Sequence, residues 1–233
     1  MALPKITLPI MELTLPSTGE KIKYRPFTVK EEKILLIAQE SGDPNQEILA
    51  AKQIVNNCLI DKDVSGLPMF DLEYILLTLR TASINNVISF QIKDPDTDET
   101  VPIEIDVNNI TVQRYDGHTN EVKINDEFIL FLRYPSIDEF IKFTTMDPQD
   151  PLTDYFMLCS CIDKVASDDE VHEFKDYNQE SIEDFMNSLS GDIIKSIAKF
   201  FETMPRLRHE IKYTNEDGAE KTFVIEGMKS FFS

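Results

Sequence analysis

Three aspartates at alternate positions form the pattern that comes closest to a chemical site in this sequence. Asp94, Asp96 and Asp98 have the spacing with which calcium-binding loops begin. Such a loop needs glycine at its sixth position and a bidentate glutamate at its twelfth, but Glu99 and Ile105 stand there. The segment is therefore predicted to be a solvated hairpin turn, and no metal ion is expected.

Histidine and cysteine also lack the spacings of known sites. The histidines are His118, His172 and His209, which are dispersed along the chain and belong to no zinc-binding pattern. The sequence contains neither a glycine-rich phosphate loop nor a nucleophile elbow. The three cysteines are interpreted as reduced core thiols of a cytosolic protein: Cys58, Cys159 and Cys161. The sequence thus predicts neither an enzyme nor a cofactor.

The net charge of −19 is distributed unevenly. Residues 1–60 carry seven basic and seven acidic side chains, whereas residues 147–192 carry thirteen acidic and two basic ones. A field of this sign repels nucleic acid and anionic membranes, and no apolar run approaches the roughly 20 residues of a membrane helix. Two interpretations of the acidic region remain open: a solvated face that discourages self-association, or a surface that docks on a basic partner.

Hydrophobic periodicity predicts an α+β fold. Its order is an N-terminal β-hairpin, a helical group, a small antiparallel sheet, a second helical group and a C-terminal β-hairpin. The predicted regions are 1–85 (hairpin and three helices), 86–134 (small antiparallel β region), 135–205 (helices) and 206–233 (hairpin and apolar tail). Within the third region, one helix is predicted from Pro151 to about Val165. No internal repeat is evident.

Helix-capping signals are the clearest local features. Thr28 and Glu31 have the spacing of a capping box at the start of the first helix, and Ser136 and Glu139 repeat this spacing further along. Gly42 stands where a left-handed residue ends the first helix. These signals predict where helices begin and end, and they do not indicate a catalytic or binding site.

The end of the chain is an apolar tail. Met228, Phe231 and Phe232 follow Gly227, beyond the last predicted strand. Such a tail either folds back onto its own core or inserts into a groove of a partner. Aromatic residues and methionine are favoured at interface centres, so the tail is a candidate partner contact.

Several stretches resemble a known family. They are KYRPFTVKEEKILLIAQES (23–41), AAKQIVNNCLID (50–61), LPMFDLEYILLTLR (67–80), LRHEIKYT (207–214) and IEGMKSFF (225–232). Together they resemble the phage baseplate proteins that include the hub subunits and hub-assembly proteins of T4-type contractile tails. Relatives of this type often carry cysteine pairs that suggest zinc. The corresponding turns here contain no cysteine, so zinc is not predicted.

The resemblance implies a non-enzymatic structural or assembly protein of the baseplate hub. Its partners would be other hub or tail proteins, and an oligomer within the assembly is possible. It would lie in the host cytoplasm during assembly and then in the tail baseplate of the virion. The alternative is a transient assembly chaperone that the mature virion lacks. The residues predicted to contact partners are Arg25, Pro26, Phe27, Lys30 and Lys33 in an N-terminal arm and Met228, Phe231 and Phe232 in the tail.

Overall fold

The computed structural model describes residues 6–147 and 149–227, and it confirms the α+β layout. The strands are β1 (Met11–Thr14), β2 (Lys21–Tyr24), β3 (Leu59–Ile60), β4 (Val87–Lys93), β5 (Thr100–Asp106), β6 (Thr111–Gln113), β7 (Glu121–Lys123), β8 (Ile129–Leu132), β9 (Ile162–Ala166), β10 (Val171–Glu173), β11 (Arg206–Thr214) and β12 (Glu220–Glu226). The α-helices are α1 (Val29–Ser41), α2 (Pro44–Cys58), α3 (Met69–Ser83), α4 (Ile137–Thr144), α5 (Pro151–Ser160), α6 (Gln179–Ser188) and α7 (Gly191–Glu202). Short 3₁₀ turns lie at Val107–Asn109 and Phe174–Asp176.

The chain forms two compact units. Unit 1 combines residues 1–113 with residues 206–233, and unit 2 consists of residues 114–205. One boundary between the units falls after Gln113, inside the predicted 86–134 region, and the other falls after Pro205, between the third and fourth predicted regions. The C-terminal hairpin joins unit 1 because β11 pairs with β6, which precedes the whole of unit 2 in the sequence.

Four antiparallel sheets contain the strands. Unit 1 holds a sheet in the order β1-β2-β3, the hairpin β4-β5, and a sheet in the order β12-β11-β6. Unit 2 holds one sheet in the order β10-β9-β8-β7. The strands expected in 86–134 are present, but they divide among three sheets because β6 pairs with β11, near the end of the chain, and β8 pairs with β9, in the region predicted to be helical. Local periodicity predicts a strand without identifying its partner.

Each unit has a core of its own. In unit 1, α3 packs its apolar side onto the inward faces of the strands, and the cluster contains Leu77, Ile88, Ile92, Ile103, Ile105, Leu207 and Ile225. In unit 2, the sheet packs against α6 and α7, and the cluster contains Val122, Leu130, Leu132, Val165, Phe174, Met186, Ile197 and Phe200. Leu130 and Ile197 are wholly buried, so unit 2 has a well-packed centre in spite of its high charge.

An arginine–glutamate pair ties together the first part of unit 1. Arg25 directly follows β2, and its Nη2 donates to Glu31 Oε1 at 3.0 Å and to the carbonyl oxygen of Asn57 at 2.8 Å. The amide of Arg25 donates to the carbonyl oxygen of Cys58 at 2.9 Å. Glu31 also accepts from the amide and the hydroxyl of Thr28, at 2.9 and 2.7 Å, which confirms the predicted capping box. One ion pair thereby joins the end of β2, the start of α1 and the end of α2.

The same network occurs in unit 2. Arg133 directly follows β8, and its Nη2 donates to Glu139 Oε1 at 2.7 Å and to the carbonyl oxygen of Ser160 at 2.6 Å. Its amide donates to the carbonyl oxygen of Cys161 at 2.8 Å. Glu139 accepts from the amide and the hydroxyl of Ser136, at 2.8 and 2.9 Å, so the second capping box is also confirmed. We call the two networks the Arg25 clamp and the Arg133 clamp.

The matching clamps identify an internal repeat, which the sequence analysis missed. Strand pairing agrees with it: Tyr24 pairs with Leu59, and Leu132 pairs with Ile162, in each case directly before the arginine and directly after the cysteine. Each repeat is a hairpin, two helices and a third strand, and we call it the hairpin–helix module. The repeat is hidden in the sequence because its helices have 13 and 15 residues in unit 1 but 8 and 10 in unit 2.

The Arg133 clamp also explains why α5 is shorter than predicted. The helix was expected to continue to about Val165, but it ends at Ser160 and β9 begins at Ile162. At the end of α5, Arg133 donates a hydrogen bond to the carbonyl oxygen of Ser160. The β-branched residues that follow, Ile162 and Val165, pair with β8. A long-range strand partner therefore overrides the helical pattern.

We expect loss of either clamp carboxylate to destabilise the unit that contains it. Glu31 is fully buried, so Glu31→Gln should lower the free energy of opening in unit 1 by roughly 3 kcal/mol. Arg133 is 41% exposed, so Glu139→Gln should lower that of unit 2 by only about 1–2 kcal/mol. Hydrogen exchange of the amides of α1 and α4 measures the two effects separately. The exposed neighbour provides the control: Glu32→Gln should stay within about 0.5 kcal/mol of the original protein, and an equal loss there would contradict the assignment.

The clamps should also make stability fall with acid. Burial alone would raise the pKa of Glu31 and of Glu139, but hydrogen bonds from the arginines and the cap residues outweigh burial and lower each pKa from 4.5 to about 2. A lowered folded-state pKa contributes stability above pH 4.5, and that stability is lost as the pH falls towards 2. Denaturation of the Glu31→Gln/Glu139→Gln double variant should therefore depend less on pH in this range. An equally steep pH dependence would show that other carboxylates are responsible.

Candidate protein-interaction surfaces

His118 has the geometry closest to that of a catalytic pair. Its Nδ1 lies 2.9 Å from the hydroxyl oxygen of Thr203, and its Nε2 lies 2.9 Å from that of Tyr134. The Thr203 hydroxyl lies 2.8 Å from the carbonyl oxygen of Lys199 and donates its proton there, so His118 does not activate it as a nucleophile. Burial and, after it, the charge of Arg114 lower the pKa of His118, which keeps the ring neutral. The arrangement fits a structural tie to the end of α7.

The aspartate triplet is a hairpin turn between β4 and β5. Asp94 is buried, and its carboxylate accepts from the amides of Asp96 and Thr97, both at 3.0 Å, and from the hydroxyl of Tyr213 at 2.7 Å. Asp98 pairs with Lys93 at 2.5 Å. The Tyr213 hydrogen bond is the main reason that the pKa of Asp94 falls to about 2. Across residues 6–147 and 149–227, no three His, Cys, Asp or Glu side chains converge as metal ligands.

The predicted N-terminal arm divides into an inner and an outer part. Arg25 and Pro26 belong to the interior: the arginine forms the clamp, and the proline is buried. Phe27 is half-buried, and its amide donates to the hydroxyl of Ser83 at 2.9 Å. Lys30 and Lys33 are exposed on the outer side of α1. The structure thus separates these five residues, and the two lysines are the ones that solvent reaches most freely.

Apolar side chains surround those lysines. Val29, Leu36 and Ile37 are 65%, 54% and 70% exposed. At 100° per residue they lie with Lys30 and Lys33 within about one third of the helix circumference. We call these five residues the α1 face. Sequence reasoning identified the lysines but not the three apolar residues, because hydrophobic periodicity does not show whether the core or solvent covers a given apolar side chain.

The remaining predicted contacts, Met228, Phe231 and Phe232, lie outside the described residues. The chain reaches them from unit 1, where β12 ends at Glu226. Gly227 has φ of 77°, a left-handed conformation that favours glycine, and its amide donates to the carbonyl oxygen of Leu207 at 3.3 Å. The last described residue is therefore anchored to the sheet.

Comparison with known proteins identifies one family. A family model described as T4 bacteriophage base plate protein matches residues 8–233, which include both units. Comparisons with curated proteins and with solved structures gave no match. Within the described part of the chain, no helix has the length and apolar character needed to span a bilayer. The chain therefore belongs to the T4 bacteriophage base plate protein family, the structural proteins of the phage baseplate.

Proposed function

We propose that this protein builds the central hub of the baseplate of a contractile phage tail, without catalysis, by binding other hub proteins. The observation that carries this proposal is the exposure of the apolar side chains of the α1 face. The chain also belongs to a baseplate family. Three large apolar side chains exposed on one helix face cost free energy in water unless a partner covers them. The two lysines beside them suit a neighbour with acidic groups at the rim.

The charge distribution supports contact through the two ends of the sequence, one of which contains α1. Residues 1–60 are balanced between basic and acidic side chains, and residues 199–233 carry six of each. The excess of negative charge lies in 61–198. Neighbouring subunits of similar acidity would repel one another across the acidic surfaces, so close contacts through the balanced segments are favoured.

The α1 face should be required for association with hub partners and not for folding. Leu36→Ser and Ile37→Ser each remove an exposed apolar group, so the free energy of unfolding should change little, while affinity for co-expressed hub proteins should fall about tenfold. Val224→Ser, at an exposed position on β12, is the matched control and should bind normally. Affinity is measured by titration of the purified partners, and unaltered binding by both α1 variants would refute this surface.

The tail is tested in the same titration. Deletion of residues 228–233 removes Met228, Phe231 and Phe232 and should weaken association while the far-UV spectrum and melting temperature are retained. Undiminished co-purification of the truncated protein would count against a role of the tail. A lower melting temperature with normal binding would show that the tail instead packs on its own unit.

A transient chaperone is the alternative role. It would cover an adhesive surface of a hub protein in the host cytoplasm and leave before the virion is complete. Mass spectrometry of purified virions separates the two roles, because a subunit is present at fixed stoichiometry in the tail baseplate and a chaperone is missing. We expect the fixed stoichiometry of a subunit.

A further inference from the structure

Unit 2 contains an open apolar groove that no part of the described chain fills. Its volume is about 610 Å³, within the range of binding sites for small molecules and peptide side chains. The groove lies between the β7–β8 turn, the 3₁₀ turn after β10, and α6. Its main walls are Ile124, Phe128, Phe174, Tyr177, Ile182 and Phe185.

The internal repeat shows that this opening is specific to unit 2. In unit 1 the corresponding place lies between the β1–β2 turn and the start of α3, the helix that follows the third strand. There the amide of Ser17 donates to Asp71 Oδ1 at 3.0 Å, and its hydroxyl donates to the same carboxylate. Leu15, at the start of the turn, is only 1% exposed. In unit 1, hydrogen bonds therefore fasten the β1–β2 turn to α3. In unit 2, the apolar groove separates the β7–β8 turn from α6.

The segments that form the groove are rich in acidic residues. The three segments that form it, residues 124–128, 165–177 and 181–193, contain two, five and three acidic residues in turn, against a single lysine. That lysine, Lys175, is paired with Glu173. Acidic segments beside an apolar groove attract a cationic segment and repel anionic ones, including nucleic acid and anionic lipid.

We propose that this groove binds a basic amphipathic helix of a partner protein. Apolar side chains at i, i+3, i+4 and i+7 enter the groove, and lysines or arginines on either side of them pair with acidic side chains of the segments that form it. The chain's own tail is a weaker fit, because residues 228–233 contain apolar anchors but only one lysine. The site belongs to a different unit from the α1 face, and the proposal does not depend on the hub role.

Filling the groove provides the test. Ser181 is exposed, lines the groove and lies on α6, so Ser181→Trp should obstruct the groove without removing a core side chain. Gln179→Trp introduces the same side chain on the same helix at an exposed position that does not line the groove. The probe is a labelled helical peptide of leucine and lysine with leucines at i, i+3, i+4 and i+7, titrated into the full-length protein. We expect Ser181→Trp to weaken binding at least about tenfold and Gln179→Trp to leave it unchanged.

Further peptides test the occupant. A peptide with the same composition but with its leucines scattered round the helix should bind at least about tenfold more weakly, and so should one with glutamate in place of lysine. Equal binding by either peptide would overturn the proposed chemistry, as would equal binding to the Ser181→Trp and Gln179→Trp variants. Tighter binding by a peptide of residues 228–233 would overturn it in favour of the chain's own tail. Hydrogen exchange should show protection of α6 by the leucine–lysine peptide, and protection confined to other segments would also contradict the proposal.

Discussion

The Arg–Glu clamp is the interaction on which each hairpin–helix module depends. In each copy one guanidinium reaches a carboxylate at the start of a helix and a carbonyl oxygen at the end of the next helix. The carboxylate in turn completes a helix cap. An ion pair removed from water is stabilising only when its remaining hydrogen-bonding groups are also satisfied. Here backbone amides, hydroxyls and carbonyl oxygens satisfy them, and the pair sets the position of two helices relative to the sheet.

Because the clamps hold the interior of the modules in the same way, the modules are free to differ on their surfaces. Unit 1 has the longer helices and exposes Leu36 and Ile37 on α1. Unit 2 has shorter helices and an open groove beside its hairpin turn. A duplicated module with two unlike surfaces suits a protein that binds more than one neighbour, which is what membership of a baseplate family leads one to expect.

Three polar side chains that are buried or half-buried each tie together separate segments of the structure. Asp94 closes a turn and binds Tyr213, Asp71 fastens a hairpin, and His118 ties a loop to α7. Each of these side chains has partners that satisfy its hydrogen-bonding capacity, whereas catalytic groups are commonly left available to a substrate. The α1 face and the groove both expose large apolar side chains, and apolar exposure is typical of surfaces that bind proteins.

The sequence alone determined what depends on neighbours along the chain. The capping boxes at Thr28 and Ser136, the left-handed Gly42 with φ of 65°, and the order of hairpins and helices all follow from interactions within a few residues, and the structure has them. Tertiary structure decided the rest. Residues 162–166 form a strand because they pair with β8. Arg25 points inward because it donates a hydrogen bond to the carbonyl oxygen of Asn57, at the end of α2. Contacts between segments distant in sequence produce the repeat, the exposed α1 face and the groove. Hydrophobic periodicity does not show which distant segment covers a given side chain.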